Sequence, residues 1–403
     1  MTSRNSSAGI LICGGAILAI AIGLRLAFGL FLQPVSQAHG WGRETFALAI
    51  ALQNIVWGLA QPFLGIVADK YGARKVVVMG GIGYSAGLYL MSQATTPLAL
   101  HLTTGVLIGL SLSATSFGVV LGAVGRAVGE RHRSLALGLV SGGGSLGQVL
   151  ILPLGQVLIS SYGWILALVA LVPVALLIVP LAMGLEGRKA SEPQLGPAQP
   201  VAEAIAEAGL HRGFGLLTAG FFVCGFQVTF IATHLPAYIV DIGLPARLGA
   251  TALALIGLFN IIGSSFWGIM GGRYSKKFNL SLLYLARVVA ITGLLMVPQS
   301  NAGILIFSSV MGFLWLGTVP LTSGLIGQIF GVRYLSTLFG IVFFSHQVGA
   351  FVGVWVGGYI FDFTGSYDLV WYVSIGLGLI AALLHWPINE QPVERLALAA
   401  ERP

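Results

Sequence analysis

Charged side chains are scarce in this chain. They make up 8% of its 403 residues, whereas hydrophobic residues make up 56%. An average soluble domain is about 25% charged. This balance excludes an ordinary soluble protein and indicates an integral membrane protein, because apolar runs of the length found here cross about 30 Å of hydrocarbon as helices.

Cysteine is nearly absent as well. The two cysteines, Cys13 and Cys224, both lie in apolar runs, so the sequence predicts neither a disulfide framework nor a metal site. No nucleotide, metal or nucleophile motif is present, and we expect no cofactor and no enzymatic activity. The net charge of +7 comes from loop lysines and arginines rather than from a surface for nucleic acid, which we do not expect as a partner.

The apolar runs predict an all-α membrane protein with twelve transmembrane helices in two six-helix halves. A long polar stretch, 186–212, separates the halves, so the predicted domains are 1–185 and 213–403 with 186–212 as a cytoplasmic linker. Within the linker, residues 201–208 have the pattern of a short amphipathic helix at the membrane surface. The predicted spans are 9–34, 46–68, 76–94, 99–124, 135–160, 164–185, 214–238, 248–271, 281–298, 302–330, 335–361 and 369–387.

The two halves repeat each other at a nearly constant offset of 202 residues. This offset indicates duplication of a six-span unit with pseudo-symmetric halves, and such halves place a substrate site between them near the middle of the membrane. The matching pairs include Gly23 and Gly225, Phe28 and Phe230, Pro34 and Pro236, Gly147 and Gly349, and Gly155 and Gly357.

Loop charge predicts the orientation. If both termini are cytoplasmic, sixteen of the twenty lysines and arginines lie on the cytoplasmic side, and only Arg43 and Arg247 fall in outer loops. The remaining two, Arg25 and Arg287, lie within spans. Arg287 is nearer the cytoplasmic end of its span, where we expect its long side chain to reach the interface.

The loop between spans two and three reads GIVADKYGARK over residues 65–75, and a weaker copy lies at 268–277. This segment resembles the best-known signature of the major facilitator superfamily. The resemblance covers nearly the whole chain and implies an alternating-access transporter. It also implies that Asp69 and Arg74 form a charge latch on the cytoplasmic face, closed in one state and open in the other.

Within that superfamily, the chain resembles the monocarboxylate and oxalate/formate transporters. The similarities are a cation in span one, a glycine-rich span five at 141–145, and the overall lengths. Those monocarboxylate carriers typically pair an aspartate with an arginine in span eight. Here the comparable stretch, 260–265, contains neither charge.

Arg25 lies in the middle of the first span and is the leading candidate for substrate binding. All thirteen acidic residues lie in loops, tails or span ends, so none can neutralise Arg25 at mid-membrane. A buried unpaired charge is strongly unfavourable, and we predict that the substrate supplies the counter-ion. A carboxylate suits this role because a guanidinium holds it with two parallel hydrogen bonds. The alternative is that backbone carbonyls and water satisfy Arg25.

Polar and aromatic residues of other spans complete the predicted site. Gln227 is the repeat partner of Arg25, and we expect the two to face each other across a central cavity. His234 and His346 are the candidates for carrying a proton, since histidine titrates near neutral pH. Packing within the helix bundle is the alternative for each residue. The further substrate-binding candidates are Asn54, Trp57, Asn260, Trp315, His346 and Gln347.

These observations predict a secondary active transporter that moves a small organic anion, with a monocarboxylate as the first candidate, by proton symport or anion exchange. The expected partners are that anion, protons as a candidate co-substrate and the lipid bilayer, and the expected location is a bacterial inner membrane. Two alternatives stay open. One is an exporter of drug-like or conjugated metabolites, and the other is a transporter-like sensor that binds a ligand without moving it.

Overall fold

The computed structural model describes residues 2–128, 130–185, 199–331 and 333–396. Side chains are described at these positions except 2–7, 69, 126, 130–135 and 336. Within these ranges the chain forms α-helices joined by short turns, with one π-helical turn at His101–Leu107 and one 3₁₀ turn at Met183–Leu185. The α-helices are α1 Thr2–His39, α2 Arg43–Tyr71, α3 Ala73–Ser92, α4 Pro97–Leu100, α5 Ile108–Thr115, α6 Phe117–Ala127, α7 Glu130–Leu176, α8 Ile178–Ala182, α9 Val201–Leu210, α10 Arg212–Asp241, α11 Ala246–Arg273, α12 Lys276–Met296, α13 Asn301–Phe313, α14 Thr318–Phe330, α15 Leu335–Thr364 and α16 Asp368–His385.

The helices account for the twelve predicted spans. In the described part of the chain, ten helical segments are long and apolar enough to cross a membrane. One of them, Ala136–Leu185, is 50 residues long and contains the fifth and sixth predicted spans. It is interrupted at Gly163, whose φ of 78° is readily adopted only by glycine. The third predicted span is α3, a 20-residue helix outside those ten.

Two predicted spans, 99–124 and 302–330, are present but contain interruptions that were not predicted from the sequence. Span four is interrupted at Ser116, which has an extended backbone between α5 and α6. Span ten is interrupted at 314–317, between α13 and α14. The interruptions occur about 200 residues apart, so each half of the repeat carries one at an equivalent place.

Glycines allow helices α1 and α7 to pack at close range. A Cβ atom on Gly147 would collide with the Ala19 carbonyl oxygen, and one on Gly143 would collide with the Gly15 carbonyl oxygen. Small residues at such crossings let backbones approach in membrane bundles. In the second half, α10 and α15 pack equally closely, since a Cβ on Gly349 would collide with the Phe222 carbonyl oxygen.

The chain divides into two compact units. Unit 1 comprises Met1–Ala190, Thr229–Leu258 and Phe351–Tyr367, and unit 2 comprises Ser191–Val228, Phe259–Ala350 and Asp368–Pro403. Helices α10, α11 and α15 contribute residues to both. The division into domains at 185 and 213 stays a prediction from the sequence. In the linker, the predicted amphipathic helix is present as α9, which buries Ala204 and Ala208.

Candidate functional site

Arg25 lies in unit 1, where α1 passes α2. One terminal guanidinium nitrogen donates to Oδ1 of Asn54 at 2.5 Å, and the guanidinium lies over the Trp57 ring, 5.0 Å from its centroid. The Nε of Arg25 is buried and has no hydrogen-bond partner among the described residues. The structure thus brings three of the predicted site residues together and leaves the buried Nε of the cation without an acceptor among the described residues.

Asn54 and Trp57 are both held in place by bonds within unit 1. The Asn54 amide nitrogen donates to the Ile50 carbonyl at 2.7 Å, which turns its Oδ1 toward Arg25. The Trp57 indole N–H donates to the hydroxyl of Ser116 at 2.8 Å, at the interruption of span four. Both side chains are buried. The aromatic face and the amide oxygen that surround Arg25 therefore have fixed positions.

Arg287, in α12 of unit 2, does not reach the interface as predicted. Its side chain is wholly buried, and its donors meet backbone carbonyls instead of solvent. A terminal nitrogen donates to the carbonyls of Leu314 at 2.9 Å and Trp315 at 2.5 Å, and Nε donates to Leu314 at 3.3 Å. The prediction failed because it took span ten as one unbroken helix, although Pro320, in the first turn of α14, indicates a helix start just after the interruption that frees those carbonyls.

Gln227, predicted as a substrate ligand, lies in unit 2 and is wholly buried. Its amide oxygen accepts a hydrogen bond from Arg287 at 3.3 Å, and its amide nitrogen donates to the Ser374 carbonyl at 3.0 Å. Both ends of the amide therefore have protein partners. A role in substrate binding stays a prediction.

Asn260 and Trp315 lie together beside the interruption of span ten. The Asn260 side-chain oxygen accepts from the backbone N–H of Leu316 at 3.1 Å and from the Ser264 hydroxyl at 3.0 Å. Trp315 and Asn260 are both buried. The amide side chain thus substitutes for a missing helical acceptor.

His346 and Gln347 are adjacent on α15 in unit 2. Nδ1 of His346 lies 3.2 Å from the Gln347 amide oxygen, and its ring stacks on Phe343 with centroids 5.6 Å apart and a 7° angle between planes. The Phe221 ring also contacts His346, with centroids 5.1 Å apart. Both predicted residues are buried. Their roles in substrate binding and proton coupling stay predictions.

His234, the other candidate for proton coupling, lies in unit 1 with both ring nitrogens occupied. Nε2 is 2.9 Å from the Val354 carbonyl, which can only accept, so Nε2 carries the hydrogen. Nδ1 then accepts from the hydroxyl of Tyr367 at 3.0 Å. Burial raises the pKa of Tyr367, which lies between α15 and α16, well above its usual range, so this hydroxyl stays protonated. The contacts favour a neutral imidazole.

Arg43 is the centre of a charged cluster that the sequence did not reveal. It begins α2, opposite the end that carries the signature loop, and its two terminal nitrogens each lie 2.6 Å from an oxygen of Asp241. It also donates to the Tyr367 hydroxyl at 3.0 Å. Asp362 accepts from the backbone N–H of Arg43 at 2.8 Å and of Glu44 at 2.7 Å, which caps α2.

This cluster joins the ends of α2, α10 and α15 inside unit 1. A guanidinium–carboxylate pair with two bonds is among the stronger polar contacts in proteins. The signal in the sequence was the presence of two arginines and several acids at span ends on a side with few charges. Nothing in the sequence indicated which of them meet, because Arg43 is 198 positions from Asp241 and 319 positions from Asp362.

The predicted cytoplasmic latch lies partly outside the described residues. The backbone of Asp69 is in the last turn of α2, but its side chain is not described, and Arg74 is half-buried in the first turn of α3. The latch therefore stays a prediction. No group of three metal-ligating side chains occurs among the described residues.

Comparison with known proteins decides the family. The family model described as Major Facilitator Superfamily matches residues 11–350. The chain belongs to the major facilitator superfamily. Its relatives are transporters, so this major facilitator protein is a multi-pass membrane transporter for a small molecule and not an enzyme.

Several relatives cover most of this transporter. The uncharacterized MFS-type transporter YcxA of Bacillus subtilis (strain 168) is 26% identical over 387 residues, which are 90% of this chain and 92% of that protein. Monocarboxylate transporter 12 of Rattus norvegicus is 27% identical over 356 residues, with 80% and 72% covered. Monocarboxylate transporter 13 of Bos taurus is 24% identical over 388 residues, with 94% and 89% covered.

A solved structure supports the fold. The crystal structure of a bacterial homolog to the human lysosomal transporter Spinster, in an inward-facing and occupied conformation, superposes with a TM-score of 0.76. The alignment covers 94% of this transporter and 95% of that chain at 14% identity. It confirms the predicted all-α major facilitator fold and carries no information about the substrate.

Proposed function

We propose that this transporter is a secondary active carrier for small organic monoanions and that Arg25 binds the carboxylate of the substrate. Asn54 and Trp57 complete the site on α2, and the carrier works by alternating access. The latch between Asp69 and Arg74 belongs to this proposal, as do the contributions of Gln227, Asn260, Trp315, His346 and Gln347. The similarity to monocarboxylate transporters 12 and 13 supports the same substrate class.

The observation that carries the proposal is the incomplete pairing of Arg25. Its only hydrogen-bond acceptor among the described residues is a neutral amide, and its buried Nε is unpaired. A guanidinium carries five donors, and a buried charge without a counter-ion is costly. A carboxylate bound at Nε and the neighbouring terminal nitrogen would supply the missing acceptor and the missing charge together.

The contacts of Arg287 support a substrate with a single negative charge. Arg25 and Arg287 are the two cations that lie well inside the spans, and every donor-bearing nitrogen of Arg287 already has protein acceptors. One cation then remains for the ligand. A second carboxylate on the ligand would enter an apolar bundle unpaired, so monocarboxylates should bind better than dicarboxylates.

We place the transporter in a bacterial cytoplasmic membrane with both termini inside, on the strength of the asymmetric loop charge. Coupling is either symport with a proton or exchange of anions. The fixed, neutral arrangement of His234 supports exchange, or symport of a proton that travels with the substrate.

Counterflow into proteoliposomes tests the function. We expect preloaded liposomes with purified protein to take up labelled lactate, pyruvate or formate, and to take up oxalate with a KM roughly tenfold higher. Each anion is measured with and without a pH gradient, and protein-free liposomes are the control. A pH-driven accumulation would assign symport.

Other outcomes would replace the proposal. Saturable binding without counterflow would indicate a sensor. Counterflow of cationic or neutral drug-like compounds, with none for any carboxylate, would indicate an exporter of that class and would contradict anion transport.

A further inference from the structure

Span ten lacks part of its backbone hydrogen bonding where α13 ends. In an unbroken helix, the carbonyls of Leu314 and Trp315 would accept from the N–H groups of Thr318 and Val319. Instead, the N–H of Val319 donates to Leu316 at 3.0 Å, and the chain turns through residues 314–317. Within a membrane, carbonyls freed in this way must find other donors.

Arg287 supplies those donors from the neighbouring span. Its Nε and one terminal nitrogen converge on the carbonyls of Leu314 and Trp315, and the other terminal nitrogen reaches Gln227. The Cys224 sulfur lies 3.6–3.7 Å from the same group. The carbonyl end of α13 also carries partial negative charge, which favours a cation at this place.

Helix α11 also braces the turn at 314–317. The Trp267 indole donates to the Phe313 carbonyl at 3.2 Å, and the Asn260 side chain accepts from the N–H of Leu316. Of the predicted substrate residues, Trp315 thus lies in the braced turn and Asn260 is one of the residues that brace it. A third, Gln227, receives one of the bonds of Arg287.

The equivalent interruption in span four is held differently. The Ser116 hydroxyl accepts from the Trp57 indole at 2.8 Å and donates to the Gln61 amide oxygen at 3.5 Å, and neither partner carries a charge. Arg25 contacts Trp57, but its hydrogen bond goes to Asn54 and not to a carbonyl of that interruption.

The two arginines within spans therefore differ. Arg25 retains an unpaired Nε, whereas the nitrogens of Arg287 all donate to the carbonyls of Leu314 and Trp315 or to Gln227.

We propose that Arg287 is a positioning residue for transport: its planar guanidinium fixes the turn at 314–317 and thereby holds Trp315, Asn260 and Gln227 in the arrangement that binds substrate. This inference rests on the proposed function for the part that concerns substrate. The bracing of the turn stands independently of which substrate is carried. A lysine cannot replace Arg287, because one ammonium group on a flexible stem cannot reach two carbonyls and an amide together.

Hydrogen exchange measured by mass spectrometry tests the bracing without any substrate. We expect Arg287→Lys to accelerate exchange of the amides at 313–319 roughly tenfold, because the turn opens more often, and to leave α16 unchanged. Arg247→Lys, at an exposed arginine in the first turn of α11, is the control. Unchanged exchange at 313–319, or an equal rise along the whole chain, would overturn the inference.

Counterflow kinetics test the link to the site. For the anion that wild-type protein transports fastest, Arg287→Lys should raise KM roughly tenfold and change the maximal rate less than about twofold, since the lost interaction organises binding. Faster exchange at the turn with an unchanged KM would overturn the positioning role. If no anion is transported, the proposed function fails, and the exchange experiment still decides on the bracing.

A second variant covers the case in which Arg287→Lys does not fold. Gln227→Met removes one acceptor of the guanidinium and keeps the volume nearly the same. We expect a smaller but localised acceleration of exchange at 313–319. A variant that exchanges there like wild type would contradict the proposed network.

Discussion

At the scale of single residues, the two arginines within spans have opposite surroundings. Arg25 could be identified from the sequence, because every acidic residue could be assigned to a loop, tail or span end. The burial of Arg287 could not, because its partners are backbone carbonyls released by an interruption of span ten. The sequence shows that no acidic residue lies at mid-span, but it does not show which backbone carbonyls lack a helical donor.

The Asn54 side chain offers a test of the charge requirement at Arg25. Asn54→Asp places a carboxylate where an amide oxygen now lies 2.5 Å from the guanidinium. We expect at least a tenfold loss of affinity for the carboxylate substrate, because the protein then supplies the counter-ion that the substrate would bring. Thermal stability should be equal or higher, because the buried charge gains a partner.

The control for this prediction is Asn301→Asp, which adds the same charge at an exposed position in the first turn of α13. It should bind substrate like the wild type. Equal anion affinity in Asn54→Asp and wild-type protein would show that the charge of Arg25 is not used for binding.

At the scale of helices, apolar runs predicted the position and number of the spans, because membrane helices must be apolar over a fixed length. The interruptions at Ser116 and 314–317 were not predicted. Neither turn contains a proline, but Pro320 in the first turn of α14 is a sequence signal for a helix start after the second turn. The contacts that stabilise the turns come from other helices, such as Trp57 and Trp267, and a single sequence does not display those contacts.

The close crossing of α1 and α7 gives a prediction for the glycines of α7. Gly147→Ala should destabilise the protein by about 1–3 kcal/mol, because the new methyl group would collide with the Ala19 carbonyl and force the helices apart. The measurement is the midpoint of thermal unfolding in detergent, compared with wild type.

The matched control is Gly142→Ala in the same helix. A Cβ at Gly142 meets no atom within 4 Å, so this change should be neutral or stabilising by up to about 1 kcal/mol. Equal midpoints for the two variants would contradict the close packing.

At the scale of the whole molecule, the internal repeat has structural counterparts. Tyr84 donates to the Ala21 carbonyl at 3.1 Å, and Tyr284 donates to the Gly220 carbonyl at 2.7 Å, so a tyrosine of the third span bonds the first span in each half. The cluster around Arg43 has no such counterpart among the described residues and was not predicted. Its members come from three helices far apart in sequence, so only the fold shows that they meet.

Binding of the transported anion's carboxylate by Arg25 can be measured without transport. The most direct measurement is equilibrium binding of the best-transported labelled anion to purified wild-type protein and to Arg25→Ala, with Arg247→Ala as an exposed control. We expect saturable binding by wild type and Arg247→Ala, and loss of binding by Arg25→Ala in a protein that elutes and melts as a folded species. Unchanged affinity in folded Arg25→Ala would contradict it.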